Sequence, residues 1–250
     1  GLRLEGDGEV VCVAEGRNVH VLDATGRELR TLQADGNIRV IHWWPTPDLL
    51  LVGCDDEKVI AFDRSGARKW VFVSEMDPAV FRAAKTYWFK SDPTHKGIWG
   101  VTSGRFIRDE EQAIIGSACT LEFVDSAGKL VHRMPQFWGD PHVFQFIPQA
   151  DGSINLLAAR RINDNDTLGV INNRKLDPNP RGFYTVPPGH TYVGGWSSMN
   201  RYHIFHEDLD GDGVREVVSE KNGSWNRVTV WDEAGNAKWD ASFGPGANSP

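Results

Sequence analysis

Cysteine, excess positive charge and long apolar runs are what this sequence has little of. Three cysteines in 250 residues, Cys12, Cys54 and Cys119, allow at most one disulfide. Each lies in or beside an apolar run, where a buried thiol is the expected state. Aspartate and glutamate (34) outnumber lysine and arginine (27), giving a net charge of −7. That balance argues against a nucleic-acid backbone or an anionic membrane surface as the main partner. No apolar run approaches the roughly 20 residues a helix needs to cross a bilayer, so membrane insertion is not expected, and no signal peptide is visible. The G-x-S-x-G, H-E-x-x-H, P-loop and dinucleotide fingerprints are missing too. A chain that opens on Gly1 rather than Met reads as a processed or truncated piece, with other domains expected in a larger parent.

What the sequence does have is a repeat. An apolar-x-apolar strand, then Asp-x-x-Gly, then a second strand occurs at 19–32 (VHVLDATGRELRTL), 59–72 (VIAFDRSGARKWVF), 121–134 (LEFVDSAGKLVHRM) and 228–241 (VTVWDEAGNAKWDA). The turn glycines Gly26, Gly66, Gly128 and Gly235 are 40, 62 and 107 residues apart. The last interval has room for two units, and a weakened copy fills it, with LGVINNRK (168–175) as third strand and GFYTV (182–186) as fourth. A further strand precedes each copy by about ten residues. In units two to five another precedes that: IRVIHWW, GIWGVTS, VFQFIP and YHIFHE.

Five units of about four strands, each 40 to 60 residues long, fit the blades of an all-β propeller built from four-stranded antiparallel sheets better than they fit a sandwich. The expected blades are 1–34, 35–76, 77–136, 137–188 and 189–245 of a single propeller. The first unit aligns with the last from its DGDG turn onward, so its innermost strand is expected to be absent. Five units with an open first blade read as part of a larger ring, with a closed five-bladed ring as the alternative.

The last unit, DLDGDGVREVVSEKNGSWNRVTVWDEAGNAKWDA, resembles the FG-GAP or integrin-α-like repeats, whose blades carry D-x-D-G-D-G-x-x-E/D before a strand. VIAFDRSGARKWVF is similar to the quinoprotein-type repeat, A-x-D-x-x-G-x-x-x-W. The resemblance implies a secreted bacterial protein, extracellular or periplasmic, related to polysaccharide handling.

The sharpest chemical signal is the loop 208–216. Carboxylates at alternate positions converge once glycine lets the chain fold back, and hard oxygen donors in that number suit calcium. The expected ligands are Asp208, Asp210, Asp212, the carbonyl of Val214, and Glu216. The loop is not an EF-hand, because Ser219 stands at the twelfth position and a strand follows. The run 163–166 (Asn163, Asp164, Asn165, Asp166) has no glycine and reads as a polar turn.

In antiparallel order the calcium loop and the Asp-x-x-Gly hairpins share one end of their blades, and the long connections gather at the other. Those connections, with the 221–227 loop, hold Tyr87, Trp88, Lys90, His95, Trp138, His142, His190, Tyr192, Trp196, Arg201, Trp225 and Arg227. Rings that stack on sugars and cations that neutralise carboxylate or sulfate suit a sugar, especially an acidic polysaccharide, with a protein partner as the other ligand class. The bland alternative is that these rings pack the loops. Zinc held by His95, His142 and His190 has no local ligand spacing behind it.

The expectation is a calcium-stabilised extracellular binding module for a carbohydrate or protein. The alternative is a polysaccharide lyase, in which His95, His142 or His190 takes the proton α to a uronate carboxylate, Tyr87 or Tyr192 donates one and Arg201 neutralises charge. A quinone-dependent dehydrogenase is a weaker third reading.

Overall fold

The computed structural model describes residues 2–4, 10–83, 96–136, 140–161, 169–176, 203–221 and 227–242. The chain divides into two compact units, Gly1–Pro135 and Gln136–Pro250.

Among the described residues, unit one holds three four-stranded antiparallel sheets, each paired in sequence order. The first is β1 (Leu2–Leu4), β2 (Val10–Glu15), β3 (Asn18–Asp23) and β4 (Glu28–Gln33). The second is β5 (Ile38–Trp44), β6 (Leu49–Cys54), β7 (Lys58–Asp63) and β8 (Arg68–Val73). A short helix, α1 (Pro78–Ala83), follows, and then β9 (Gly100–Gly104), β10 (Gln112–Ser117), β11 (Thr120–Val124) and β12 (Leu130–Pro135) make the third. Among the described residues, unit two has a three-stranded sheet, β13 (Asp140–Pro148), β14 (Ile154–Arg161) and β15 (Gly169–Asn172). Its second sheet has four strands, β16 (Ile204–Glu207), β17 (Glu216–Lys221), β18 (Arg227–Trp231) and β19 (Ala237–Ser242). The expected fourth strand at 182–186 and the run 163–166 lie outside the described residues. No helix among the described residues is long and apolar enough to cross a membrane.

One expectation is overturned. The first sheet has its innermost strand: Leu2, Arg3 and Leu4 pair with Cys12, Val11 and Val10. Three residues are too few to show a periodicity, so only the pairing reveals them.

The repeat is physically a hairpin with a bulge. Each Asp amide donates to the carbonyl four residues on, at 2.9 to 3.0 Å, and each glycine amide donates back to the Asp carbonyl at 2.9 to 3.0 Å. The Asp side chain closes the turn. Its Oδ1 accepts from Arg27 N at 3.0 Å in the first copy, Ala67 N at 3.0 Å in the second, Lys129 N at 2.9 Å in the third and Asn236 N at 2.8 Å in the last. Glycine takes φ of +84, +89, +81 and +85°, the left-handed region where a side chain is strained. Pairing slips by one residue beside the turn in all four copies, between Val21 and Leu22, Ala61 and Phe62, Phe123 and Val124, and Val230 and Trp231. The motif is therefore structural, a turn that sets the register of the outer two strands.

Cores form between sheets. Cys12, Val19, Val21 and Leu32 of the first sheet meet Leu50, Val52, Ile60 and Phe62 of the second. The opposite face of the second sheet, with Trp44, Leu51, Val59 and Ala61, meets Val101, Ala113, Ile115 and Val124 of the third. In unit two, Ile147, Leu157 and Ala159 pack on Ile204, Val217 and Trp231. A central strand with both faces covered loses its polar alternation, and β6 is buried at every position. Each large apolar side chain fully buried here contributes roughly 1.5–3 kcal/mol.

Candidate functional site

In the last sheet the β16–β17 turn (208–215) and the β18–β19 hairpin (232–236) lie at the same end, as four consecutive antiparallel strands require. The 208–216 loop folds back on its own carboxylates. Asp208 accepts from Gly211 N at 2.7 Å and from Gly213 N at 2.9 Å. Asp210 accepts from Asp212 N at 3.3 Å, and Asp212 from Val214 N at 2.8 Å. Gly211 and Gly213, at φ +79 and +87°, provide the reversals. Glu216, the first residue of β17, is buried and accepts from Leu209 N at 3.0 Å.

These bonds bring together one oxygen each from Asp208, Asp210 and Glu216, all within 4.8 Å of one another. Oxygens bound to one calcium ion can be at most roughly 4.6–5.2 Å apart, twice the Ca–O distance. The three-carboxylate set therefore fits a hard divalent cation. Asp212 stands beside it, its Oδ1 engaged with the Val214 amide.

Sequence reading missed the residue that balances this cluster. Lys238, on β19, donates to Glu216 Oε1 at 2.7 Å and lies 3.5 Å from Asp210 Oδ2. The Glu216 hydrogen bond, with Asp210 adding its charge, holds the lysine above its ordinary pKa. His206 Nε2 meets Glu233 Oε1 at 2.7 Å and ties β16 to the hairpin of β18 and β19. Lys238 is 22 residues from Glu216 and Glu233 is 27 from His206, so no local pattern could announce them.

Of the residues expected to bind a ligand at the opposite end, Tyr87, Lys90, His95, Trp138, His190, Tyr192, Trp196, Arg201 and Trp225, with Trp88, lie outside the described residues. His142 is on β13, its Nδ1 3.2 Å from the Asp140 carbonyl. Arg227 begins β18, with its backbone opposite Lys221 and Ser242.

This architecture is of the β-propeller class. No family profile matches the sequence, and no curated protein is similar to it in sequence. Among solved structures, the chain is similar to BBS1N in complex with ARL6DN in two crystals, one soaked with lead (TM-score 0.60, 10% identity) and one with mercury (TM-score 0.61, 10% identity). It is also similar to a chain of the mitotic checkpoint complex, with TM-score 0.58 and 13% identity. The similarity covers 94 to 96% of this chain and 62 to 65% of those chains. The chain thus spans under two thirds of the length of the structures it matches, and at these identities what is shared is the fold.

Proposed function

We propose that this chain is a propeller module whose task is binding, with calcium held in the 208–216 turn and a macromolecular partner engaged at the other end of the blades. The observation that carries the metal is the convergence of Asp208, Asp210 and Glu216 within 4.8 Å. Asp208, Asp210 and Glu216 would hold the ion, with Asp212 and the Val214 carbonyl as further oxygen donors. Bound calcium would supply charge neutralisation that clamps β16 to β17. The role is structural, and the protein's own amides at Gly211 and Gly213 already shape the turn.

Support for a protein partner comes from the similar structures, which are of complexes: BBS1N with ARL6DN, and a mitotic checkpoint complex. A carbohydrate ligand rests on the aromatic and basic residues of the long connections, and an extracellular or periplasmic setting accords with calcium supply. The lyase reading rests on the same connections and has no geometry behind it.

The test has two arms. Chelation should lower the melting temperature of the wild type and leave Asp210→Ala unmoved; a chelator-insensitive wild type would remove the metal. On a glycan array, binding abolished in Trp196→Ala and Arg201→Ala would select the carbohydrate, whereas no binding across acidic and neutral glycans would leave the protein partner as the reading.

A further inference from the structure

The two seams of unit one are built on one plan but plugged by different side chains. Seven residues after each hairpin aspartate, an outer-strand side chain reaches across to the hairpin of the next sheet. In the second seam this is Trp70, whose indole N–H donates to the Ser126 carbonyl at 3.0 Å. The ring lies on the hairpin glycine: a Cβ at Gly128 would come within 2.7 Å of it. In the first seam the corresponding residue is Arg30, which donates from Nη1 to the corresponding carbonyl, that of Arg64, at 2.6 Å. The bond is kept and the ring is not: over the hairpin glycine stand Leu32, whose Cδ2 a Cβ at Gly66 would meet at 2.8 Å, and the Arg30 stem at 3.5 Å. Beside them lies a cleft with an open volume of ≈ 280 Å³, lined by Cys12, Val21, Leu32, Trp43 and Leu50, with Arg30 and the Gly66 hairpin residues Asp63 and Arg64.

We propose that this cleft binds a small planar aromatic carboxylate, the ring entering the seam and the carboxylate meeting Arg30. The second seam shows what shape the plan accommodates: a flat bicyclic ring between an outer strand and a hairpin glycine. The walls are apolar, and the volume falls just below the usual range of roughly 300–1,000 Å³ for ligand pockets, which suits a fragment-sized molecule.

Charge chooses the acid. Asp63 is committed to its own turn, accepting from the Ser65 hydroxyl at 2.5 Å and Ala67 N at 3.0 Å. Arg64 is held by both oxygens of Asp48 at 2.7 Å and covers the Trp43 ring, 5.0 Å from its centroid. Arg30 is exposed, and one of its guanidinium donors is taken by a neutral carbonyl. The others suit the planar, charge-assisted recognition of a carboxylate. This site does not depend on calcium or on the partner proposed above.

Indole-3-acetate, neutral indole and cationic tryptamine are the probes, followed by isothermal titration and by the shift in melting temperature. Indole-3-acetate should bind most tightly and tryptamine least. Arg30→Gln keeps the cleft and should weaken indole-3-acetate at least tenfold while leaving indole unchanged. Arg30→Trp supplies the ring from the chain itself, as Trp70 does in the second seam. It should abolish binding of all three probes and raise the melting temperature by roughly 2–4 °C. No binding of indole-3-acetate to the wild type would overturn the proposal, as would equal binding of tryptamine or undiminished binding by a folded Arg30→Trp. Should Arg30→Trp not fold, Arg30→Gln decides alone: equal loss of acid and neutral probe contradicts the role of the guanidinium.

Discussion

Lys238 couples the acidic turn to the outer strand, and it competes with any metal for Asp210 and Glu216. Its side chain is about two fifths exposed, so it can swing into solvent. Lys238→Gln removes a positive charge beside the site and should tighten calcium binding about fivefold. Calcium titration of the two proteins at low salt checks this; weaker binding in the variant would mean that the lysine organises the turn rather than rivals the ion.

A second residue sets a pH response. His42, on β5, is 2.8 Å from the Ser103 hydroxyl of β9, in the seam between second and third sheets, and burial lowers its pKa to about 4. A histidine depressed in the folded state leaves stability intact above its unfolded pKa of about 6.5, and the loss accrues as pH falls toward 4. Solvent access keeps the effect below the roughly 3 kcal/mol that the full shift implies. Urea melts from pH 7.5 to 4 should show this slope, and His42→Gln should flatten it. The acidic turn was legible because its signal is local, four carboxylates and two glycines in nine residues. Lys238 and Ser103 were not, since their partners lie on strands brought near by the sheet and the seam.

At the scale of the element, the hairpin glycines separate two roles that the sequence writes identically. Gly26 and Gly128 have the same left-handed φ, +84 and +81°, but a Cβ at Gly26 meets nothing within 4 Å, and one at Gly128 strikes Trp70. Gly26→Ala should cost only the backbone term, about 1 kcal/mol, and Gly128→Ala about 2–4 kcal/mol, because the indole must also move. Equal losses in chemical denaturation would contradict the seam as described. The repeat therefore disclosed the turn but not the docking, which needs the neighbouring sheet.

Helix α1 does carry a local start signal. Pro78 at its first position and Asp77 before it, whose Oδ1 accepts from Ala79 N at 2.7 Å, form a start signal inside what reads as a long loop. Strand β1 lay at the other extreme, its three residues recognisable only by their partners.

At the scale of the molecule, hairpins recurring in units of 40 to 60 residues were enough to anticipate four-stranded sheets packed face to face, because each sheet buries both faces only between neighbours. The end proposed for binding was not open to the same treatment: its residues were chosen by type, and type alone fixes no distance. The acidic turn is where sequence, geometry and chemistry meet, and a metal held there has a direct signature. Amide hydrogen exchange over 203–221, with calcium and then with chelator, reads it. Calcium should slow exchange at Leu209, Gly211, Gly213 and Val214 and along β16 and β17, and leave the first unit unchanged. Identical exchange in both conditions, with the protein folded, would contradict a metal in this turn.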